Sequence, residues 1–382
     1  MRFIHTADIH IGMENYGYLD PVSGLHTRIL DFLAAFDRLI DYAIDPKHAI
    51  DLVIFSGDAY KTRTPTPTHQ REFAKRIMTL TKHKIPVILL VGNHDTPNTE
   101  AKANTLDIYP TMNIPQVHVI RKPEVITVQG LQIVGLPWLQ RSEFEQIPSI
   151  LQTLYDSLSP ELPAVTCVHA SVEGAMFGSE RAFTLGKDMV IPLQLLQHPK
   201  VSYVALGHIH KRQVLSKTPP VVYSGSIERV DFGEEKEDKS FEVVEINEDR
   251  TSTHTPISTQ PRPFVSIILN ISPTDMNPMD TIMKEILKRN VEQAIVKVKI
   301  SISPEQAGNI EVGKIRTALD QAFFIAGITK EIFRPERMRL KDLAVKELSP
   351  LEMLRAYLKA KNYDESKITQ LVKFATKLME EQ

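Results

Sequence analysis

In the first two-thirds of the chain, a short apolar run is repeatedly followed by a turn carrying Asp, Asn or His. This recurrence constrains the fold more than any other feature. Residues 2–6 lead to Asp8, and 51–55 to Gly57 and Asp58. Residues 85–91 lead to Gly92, Asn93, His94 and Asp95, and 164–168 to His169. Residues 201–206 lead to Gly207, His208 and His210, and 221–223 to Ser224, Gly225 and Ser226. Short β-branched runs closed by glycine-containing turns read as buried strands. Helical patterns lie between the early ones. Ile29, Phe32, Leu33, Phe36, Leu39, Ile40 and Ala43 share one helix face, and a second helix is predicted over 68–82. Strands alternating with helices imply an α/β domain, and polar loops at the carboxyl ends of such strands are where ligands bind.

The chain has 382 residues, enough for two or three domains, and its 42% apolar and 24% charged content supports a full hydrophobic core. The formal net charge of -2 excludes a protein that coats nucleic acid through bulk positive charge. A DNA substrate then requires a local basic surface, metal ions or a partner subunit. The single cysteine, Cys167, excludes an intrachain disulfide and fits a reducing cytoplasm. The amino terminus runs directly into the first strand with no apolar leader. No run of about 18 apolar residues is present to span a bilayer. The expectation is a soluble cytoplasmic protein without a membrane partner.

Domain boundaries follow from composition. The first domain is expected over 1–248, closing with a charged turn at 234–239 and a strand over 241–246. Residues 249–263, rich in Thr, Ser and Pro, read as a linker. A compact α+β domain is predicted over 264–335, with strands at 264–271 and 294–302 and helices near 278–289 and 313–324. The tail, 336–382, is helical. Ser349-Pro350-Leu351-Glu352 is a capping box with proline at the first helical position. Leu351, Leu354, Tyr357 and Leu358 share one face of that helix; Ile368, Leu371, Val372, Ala375, Leu378 and Met379 belong to the next. Two short amphipathic helices cannot form a core alone, so they pack on their own protein or on a partner.

The chemistry lies in the turns. In an extended segment residues i and i+2 point the same way, so Asp8 with His10, and His208 with His210, can each aim at one place. Glycine beside Asp58, Asn93 and His208 lets the backbone turn sharply without blocking the site. Two carboxylates, several imidazoles and an amide form a mixed O/N set. That set suits manganese, iron or zinc more than calcium and excludes a thiolate-rich site. Seven candidate ligands exceed the needs of one ion and suit two, roughly 3.5–4 Å apart and sharing a carboxylate. Taken singly the pieces are weak, since a lone Asp-x-His or Gly-Asp occurs by chance. The polar turns Gly92-Asn93-His94-Asp95 and Gly207-His208-Ile209-His210, directly after buried strands, have no packing purpose.

These residues match in order the five-part signature of the calcineurin-like metallophosphoesterase superfamily. Tyr223-Ser224-Gly225-Ser226-Ile227-Glu228-Arg229, Phe232-Gly233-Glu234 and Lys239 further resemble the closing segment of SbcD-like exonuclease subunits, within the double-strand-break repair nuclease family. The resemblance covers the whole chain, by motif in the first 240 residues and by topology after that. It implies a four-layer αββα sandwich, followed by a small DNA-capping domain and helices that dock on a coiled-coil ATPase, SbcC. Asp8, His10 and His210 would bind one ion; Asn93, His169 and His208 a second; Asp58 would bridge them. His94 would face the scissile phosphate as the catalytic residue, and Asp95 would orient a neighbouring imidazole. The cofactor implied is a pair of divalent ions, manganese first, with magnesium, iron or zinc as alternatives. The activity implied is exonuclease action on double-stranded DNA ends together with endonuclease action. The chain would work as a homodimer within a heterotetramer, in a bacterial, nucleoid-associated setting.

Lys61 departs from the family pattern, which often carries histidine or an acid three residues after the bridging aspartate. With Arg63, Lys102, Lys211 and Arg212 it is a candidate phosphate contact. Cys167 alternates onto the same side as His169, although a small core residue is the commoner role for free cysteine. Trp138 follows a strand and serves either as a substrate rim or in packing. A stand-alone phosphatase on small molecules would use the same cluster, and a non-catalytic metal-bearing scaffold is a third reading. The extra domain and the tail favour the nuclease.

Overall fold

A computed structural model describes residues 1–97, 102–178, 189–333, 349–361 and 363–380. Among them the chain divides into two compact units. The first comprises Met1–Ser266, Val291–Lys297 and Leu319–Ala326; the second comprises Ile267–Asn290, Val298–Ala318 and Gly327–Gln382.

The first unit is a sandwich of two six-stranded sheets. One sheet has the order β14 (Ser252–Ser258), β13 (Ser240–Ile246), β1 (Arg2–Thr6), β2 (Leu52–Phe55), β3 (Val87–Leu90), β4 (Val117–Ile120). The other has the order β11 (Gln213–Lys217), β12 (Pro220–Tyr223), β10 (Tyr203–Gly207), β7 (Ala164–His169), β6 (Leu131–Leu136), β5 (Glu124–Val128). Strands β1 to β4 run parallel, as do β12, β10, β7 and β6. Parallel neighbours end on the same edge of a sheet, so the turns after β1, β2 and β3 lie side by side, as do those after β7 and β10.

The central strands are apolar throughout because both faces are covered. Phe3, Leu52, Ile54, Ile88 and Leu90 meet Ile133, Val165, Cys167, Tyr203, Ala205 and Val222 between the sheets. The alternate residues Ile4, Val53, Phe55, Val87 and Leu89 pack outward with Phe36, Leu39, Phe73 and Ile77. Those last four come from helices α1 (Thr27–Ile44) and α2 (Pro67–Lys82), the second started by Thr66, whose side chain accepts the His69 N–H, and by Pro67 at its first turn. On the far side Val168, Val204 and Leu206 pack with Ile147, Leu151 and Tyr155 of the helix Ile147–Asp156. The order helix, sheet, sheet, helix is the four-layer arrangement expected.

The segment read as a linker is corrected by the structure. Residues 252–258 form β14, antiparallel to β13 with Ser240 opposite Ser258 and Ile246 opposite Ser252. Thr259 is buried, its hydroxyl donating to Ile227 O at 2.6 Å, and Arg262 donates to both oxygens of Asp31. The first unit therefore runs beyond residue 248. Its polar Thr-rich composition belongs to an edge strand with one wet face, where Pro256 is tolerated.

Further on, Phe264–Asn270, Ile295–Ile302 and Phe324–Ile332 form a three-stranded sheet with the middle segment central. A helix covers Pro278–Leu287, as expected. The helix expected up to Phe324 covers only Val312–Ala318, and the aromatic, β-branched stretch after it is a strand. The tail forms helices Pro350–Ala360 and Glu365–Glu380, with the Ser349–Glu352 capping box made in both directions. Leu358 and Ile368 are buried, while Phe374 and Leu378 remain 64% and 51% exposed. Residues 336–348 of the expected tail lie outside the described residues. No helix among the described residues is long and apolar enough to cross a membrane.

His5 ties the two sheets by polar contacts. Its Nδ1 lies 3.0 Å from Tyr203 Oη and its Nε2 3.2 Å from Leu206 O. The carbonyl only accepts, so Nε2 carries the proton and Nδ1 accepts from the tyrosine. Burial pulls its pKa down to about 4, against Glu242 and the Leu206 carbonyl. The folded value lies below the unfolded one, so this contribution is full above the unfolded pKa and is lost as pH falls toward 4. Between those values, the unfolding free energy of the His5→Gln variant should fall by about 3 kcal/mol less than that of the wild type, measured by denaturant unfolding at each pH.

Candidate metal centre

The turns after β1 and β2 are held in register by backbone bonds. Asp8 N–H donates to Gly57 O and His10 N–H to Asp58 O, each at 3.1 Å. Asp8, His10, Asp58 and His208 all have positive φ, at 53°, 48°, 56° and 97°. Left-handed backbone at non-glycine residues is uncommon and is concentrated at functional sites. Gly57 is needed because a Cβ there would stand 2.1 Å from His169 Nδ1; at Gly207 it would stand 2.0 Å from Ser56 O. The two sheets meet here at backbone contact.

The seven candidate ligands converge. Asp8, His10 and His210 place one donor atom each within 4.8 Å of one another, as do Asp8, Asp58 and His169. Asp58 faces both sides: Oδ2 lies 3.8 Å from His10 Nε2 and Oδ1 3.4 Å from His169 Nε2. Asn93 Oδ1 lies 2.9 Å from His169 Nε2 and 3.1 Å from His208 Nδ1. All but His210 and Asn93 are buried.

Two of the imidazoles, His169 and His210, are oriented from behind. His169 Nδ1 lies 2.7 Å from Ser56 O, which presents Nε2 to the cluster. His210 Nδ1 lies 2.9 Å from Glu234 Oε1, and Lys239 Nζ holds the other oxygen of Glu234 at 2.9 Å. Burial would raise the Glu234 pKa, but Lys239 and His210 outweigh it and hold the carboxyl below its usual range. Glu234 carried no assigned role from sequence; its signal was the Phe232-Gly233-Glu234 motif.

Asp95 corrects an expectation. It orients no imidazole. Its carboxylate accepts the backbone N–H groups of Asp58 at 3.0 Å, Ala59 at 3.2 Å and Gly92 at 3.0 Å. Three buried turn donors need an acceptor, and this carboxylate supplies it. Burial, with Asp58 beside it, pushes its pKa up to about 7. His94 donates its backbone N–H to Asp58 Oδ1 at 2.9 Å, and its ring Nδ1 lies 2.6 Å from Lys61 O.

The electrostatics fit a bound cation. Burial would raise the Asp58 pKa, yet His169, His94 and His10 hold it well below the usual range. Asp8 is pushed up by burial, with Asp58 adding to the push. Burial and the neighbouring His210 hold His10 well below 6.5. His169 rises to about 9: burial opposes this, but Asp58 and Asp8 prevail. His10 Nε2 and His210 Nε2 lie 3.0 Å apart, two ring nitrogens with a shared focus and no carboxylate between them. Converging imidazole nitrogens and carboxylate oxygens, with the outer nitrogens of His169 and His210 already used, are the donor chemistry of divalent cation sites.

The candidate phosphate contacts fall differently. Lys61 fixes the turn through its backbone, its N–H donating to Ile11 O and its carbonyl receiving His94. Arg63 Nε donates to Asn93 O at 3.0 Å. Arg212 donates to the buried Glu242, and partly buried Lys211 accepts the Gln213 amide through its carbonyl. Lys102 is exposed. Cys167 is a core residue whose Sγ lies 3.2 Å from Ser56 Oγ, its thiol pushed up to about 12 by burial. Trp138 is at the site, its ring 5.2 Å from that of His208.

Residues 1–212 match the family model described as calcineurin-like phosphoesterase. The chain belongs to this family. A DNA double-strand break repair protein Mre11 from Archaeoglobus fulgidus is 26% identical over 250 residues, 61% of this chain and 52% of that protein. The Mre11 of Saccharolobus solfataricus is 24% identical over 370 residues, 94% of this chain and 81% of the relative. The SbcD component of the nuclease SbcCD of Bacillus subtilis is 24% identical over 277 residues, 66% and 68% of the two chains. The family match ends at Arg212, so it includes all seven candidate ligands and His94 but not Glu234.

A pair of glycine substitutions separates backbone strain from close approach. Gly57 and Gly24 both have positive φ, at 101° and 70°, but a Cβ on Gly24 meets nothing within 4 Å. Gly24→Ala should cost about 1 kcal/mol and Gly57→Ala at least twice that by thermal unfolding, because His169 must also move.

Proposed function

We propose that this phosphoesterase is the two-metal DNA nuclease subunit of a double-strand-break repair complex of the SbcC–SbcD kind. It would cut double-stranded ends exonucleolytically and hairpins or internal sites endonucleolytically. The observation that carries the reading is Asp58 set between two imidazole groups, with His94 bonded to its carboxylate. The names of the relatives support DNA as the substrate.

Asp8, His10 and His210 would hold one ion and Asn93, His169 and His208 the other, with Asp58 shared. Manganese is the favoured metal for this mixed oxygen and nitrogen set. Bound there, divalent ions supply Lewis-acid charge and bring the pKa of water toward neutrality. The chain's own residues do the rest. Glu234 and Ser56 keep the His210 and His169 rings aimed inward. Asp95 keeps the two turns from separating. His94, its Nδ1–H anchored on Lys61 O, keeps Nε2 for a proton and can deliver it to the leaving oxygen. Phosphate contacts would come from Lys61, Arg63, Lys102 and Lys211, with little sequence specificity. Arg212, tied to Glu242, would support the sheet edge behind them.

The helices 350–360 and 365–380 would dock on an SbcC-like coiled-coil ATPase, with Phe374 and Leu378 in the contact, in a heterotetramer containing two copies of this chain. Such a complex would act on the bacterial nucleoid.

His94→Ala should retain two bound manganese ions by metal analysis and lose about 10²–10⁴-fold in cleavage of linear duplex DNA. Asp58→Ala should lose both metal and cleavage. Hydrolysis of a small phosphodiester without cleavage of duplex, with and without the ATPase, would point to a small-molecule phosphodiesterase. A chain ending at Phe333 should keep its melting temperature and lose ATPase binding in a pull-down; a large fall in melting temperature would show that the tail packs at home.

A further inference from the structure

We propose that a cleft beside the metal centre is a subsite for one unpaired nucleotide flanking the scissile phosphate, with Trp138 as its stacking platform. This rests on the nuclease reading. The cleft has a volume of about 280 Å³, and its walls include Val91, Thr96, Lys102, Arg121, Lys122 and Trp138.

Its position follows from the turn it adjoins. Val91 and Thr96 flank Gly92-Asn93-His94-Asp95, the turn that carries Asn93 and His94. Thr96 Oγ1 donates to Gly92 O at 2.8 Å, and the backbone N–H of Trp138 donates to Val91 O at 3.0 Å. The Trp138 indole stands 5.2 Å from the His208 ring and 6.3 Å from the His169 ring. Trp138 therefore belongs to the metal centre and to the cleft at once. A strand whose phosphate lies at the metals has its neighbouring nucleotide at this wall.

The lining suits a nucleotide. An indole offers a flat π-face, and stacking of bases on aromatic side chains is strong and tolerant of sequence. Lys102, Arg121 and Lys122 bring three positive charges, against Asp107 and Glu143 in the same wall. Arg121 pairs with Asp107 at 3.0 Å, and Glu143 accepts the Gln140 N–H at 2.9 Å. One positive charge is left over, matched to one phosphodiester. The volume falls just below the range of small-ligand pockets, about 300–1,000 Å³, so it takes one nucleotide and no base pair. The base must leave its helix to enter, so the cleft selects frayed ends, single strands and hairpin loops.

Trp138 is the chain's one tryptophan, so tryptophan emission, excited at wavelengths where tyrosine does not absorb, reports this site alone. The full chain in EDTA is titrated with dAMP, with 2-deoxyribose 5-phosphate and with inorganic phosphate. The expected result is quenching by dAMP and none by the two phosphates, with the dAMP affinity weakened about fivefold or more in Lys102→Ala/Lys122→Ala. With manganese, oligonucleotides carry an abasic residue on either side of the scissile phosphate. Wild type should cleave the intact strand about fivefold or more faster, in kcat/KM, than one of the two abasic strands. Trp138→Ala should erase that difference and Trp138→Phe should keep it; a purely structural role for the indole would slow all three substrates equally. No quenching by dAMP, or a wild type indifferent to both abasic strands, overturns the subsite and leaves the nuclease reading standing if cleavage proceeds. Quenching without any cleavage overturns the nuclease reading and upholds the cleft as a nucleotide site.

Discussion

The centre depends on one buried carboxylate that sits behind the ligands. Asp95 accepts the N–H groups of Asp58, Ala59 and Gly92 and so clamps the turn after β2 to the turn after β3. Leaving such buried donors unsatisfied costs about 1–3 kcal/mol each. The clamp also holds Asp58 at a φ of 56°, a conformation its own side chain disfavours. Asp58 then takes the His94 N–H on its carboxylate, so the proposed shared ligand and the proposed proton donor are set by one chain of hydrogen bonds.

A second constraint is how closely the sheets approach under the site. Ser56 is the meeting point: its carbonyl orients His169, while its hydroxyl lies 3.2 Å from Cys167 Sγ and 3.3 Å from Ala205 O. Gly207 packs against the same carbonyl with no room for a side chain. Nearby, His5 reaches across to Tyr203 and Leu206. The apolar core between the sheets sets their separation, and these few polar ties set their register.

The imidazoles are oriented by unlike means. His169 leans on a backbone carbonyl, which cannot change charge. His210 leans on Glu234, which is ionised because Lys239 is buried against it. Glu234 and Lys239 lie in the segment that leads into β13, beyond the stretch matched by the family. That segment also carries Arg229, which bonds the carbonyls of Glu234, Glu237 and Arg262. The late part of the first unit is thus a brace for a ligand supplied earlier.

The sequence by itself determined the strands, their polar turns and the order of the candidate ligands. Period, β-branching and glycine placement are local properties, and Asp-x-His, Gly-Asn-His-Asp and Gly-His-x-His each lie within four residues. It also marked the two tail helices, because a capping box in the first and the apolar spacing of both are local. It misread residues 252–258, since an edge strand with one wet face has the composition of a linker, and it carried a helix into the strand at Phe324. Only the tertiary structure decided what stands behind the ligands. Asp95 serves backbone donors, Glu234 orients His210, Arg212 is tied to Glu242, and Trp138 joins the centre to a neighbouring cleft. Those pairings join residues 24 to 70 positions apart, or decide between acceptors a few residues away. Such choices follow from which groups are buried together, and no local pattern encodes that.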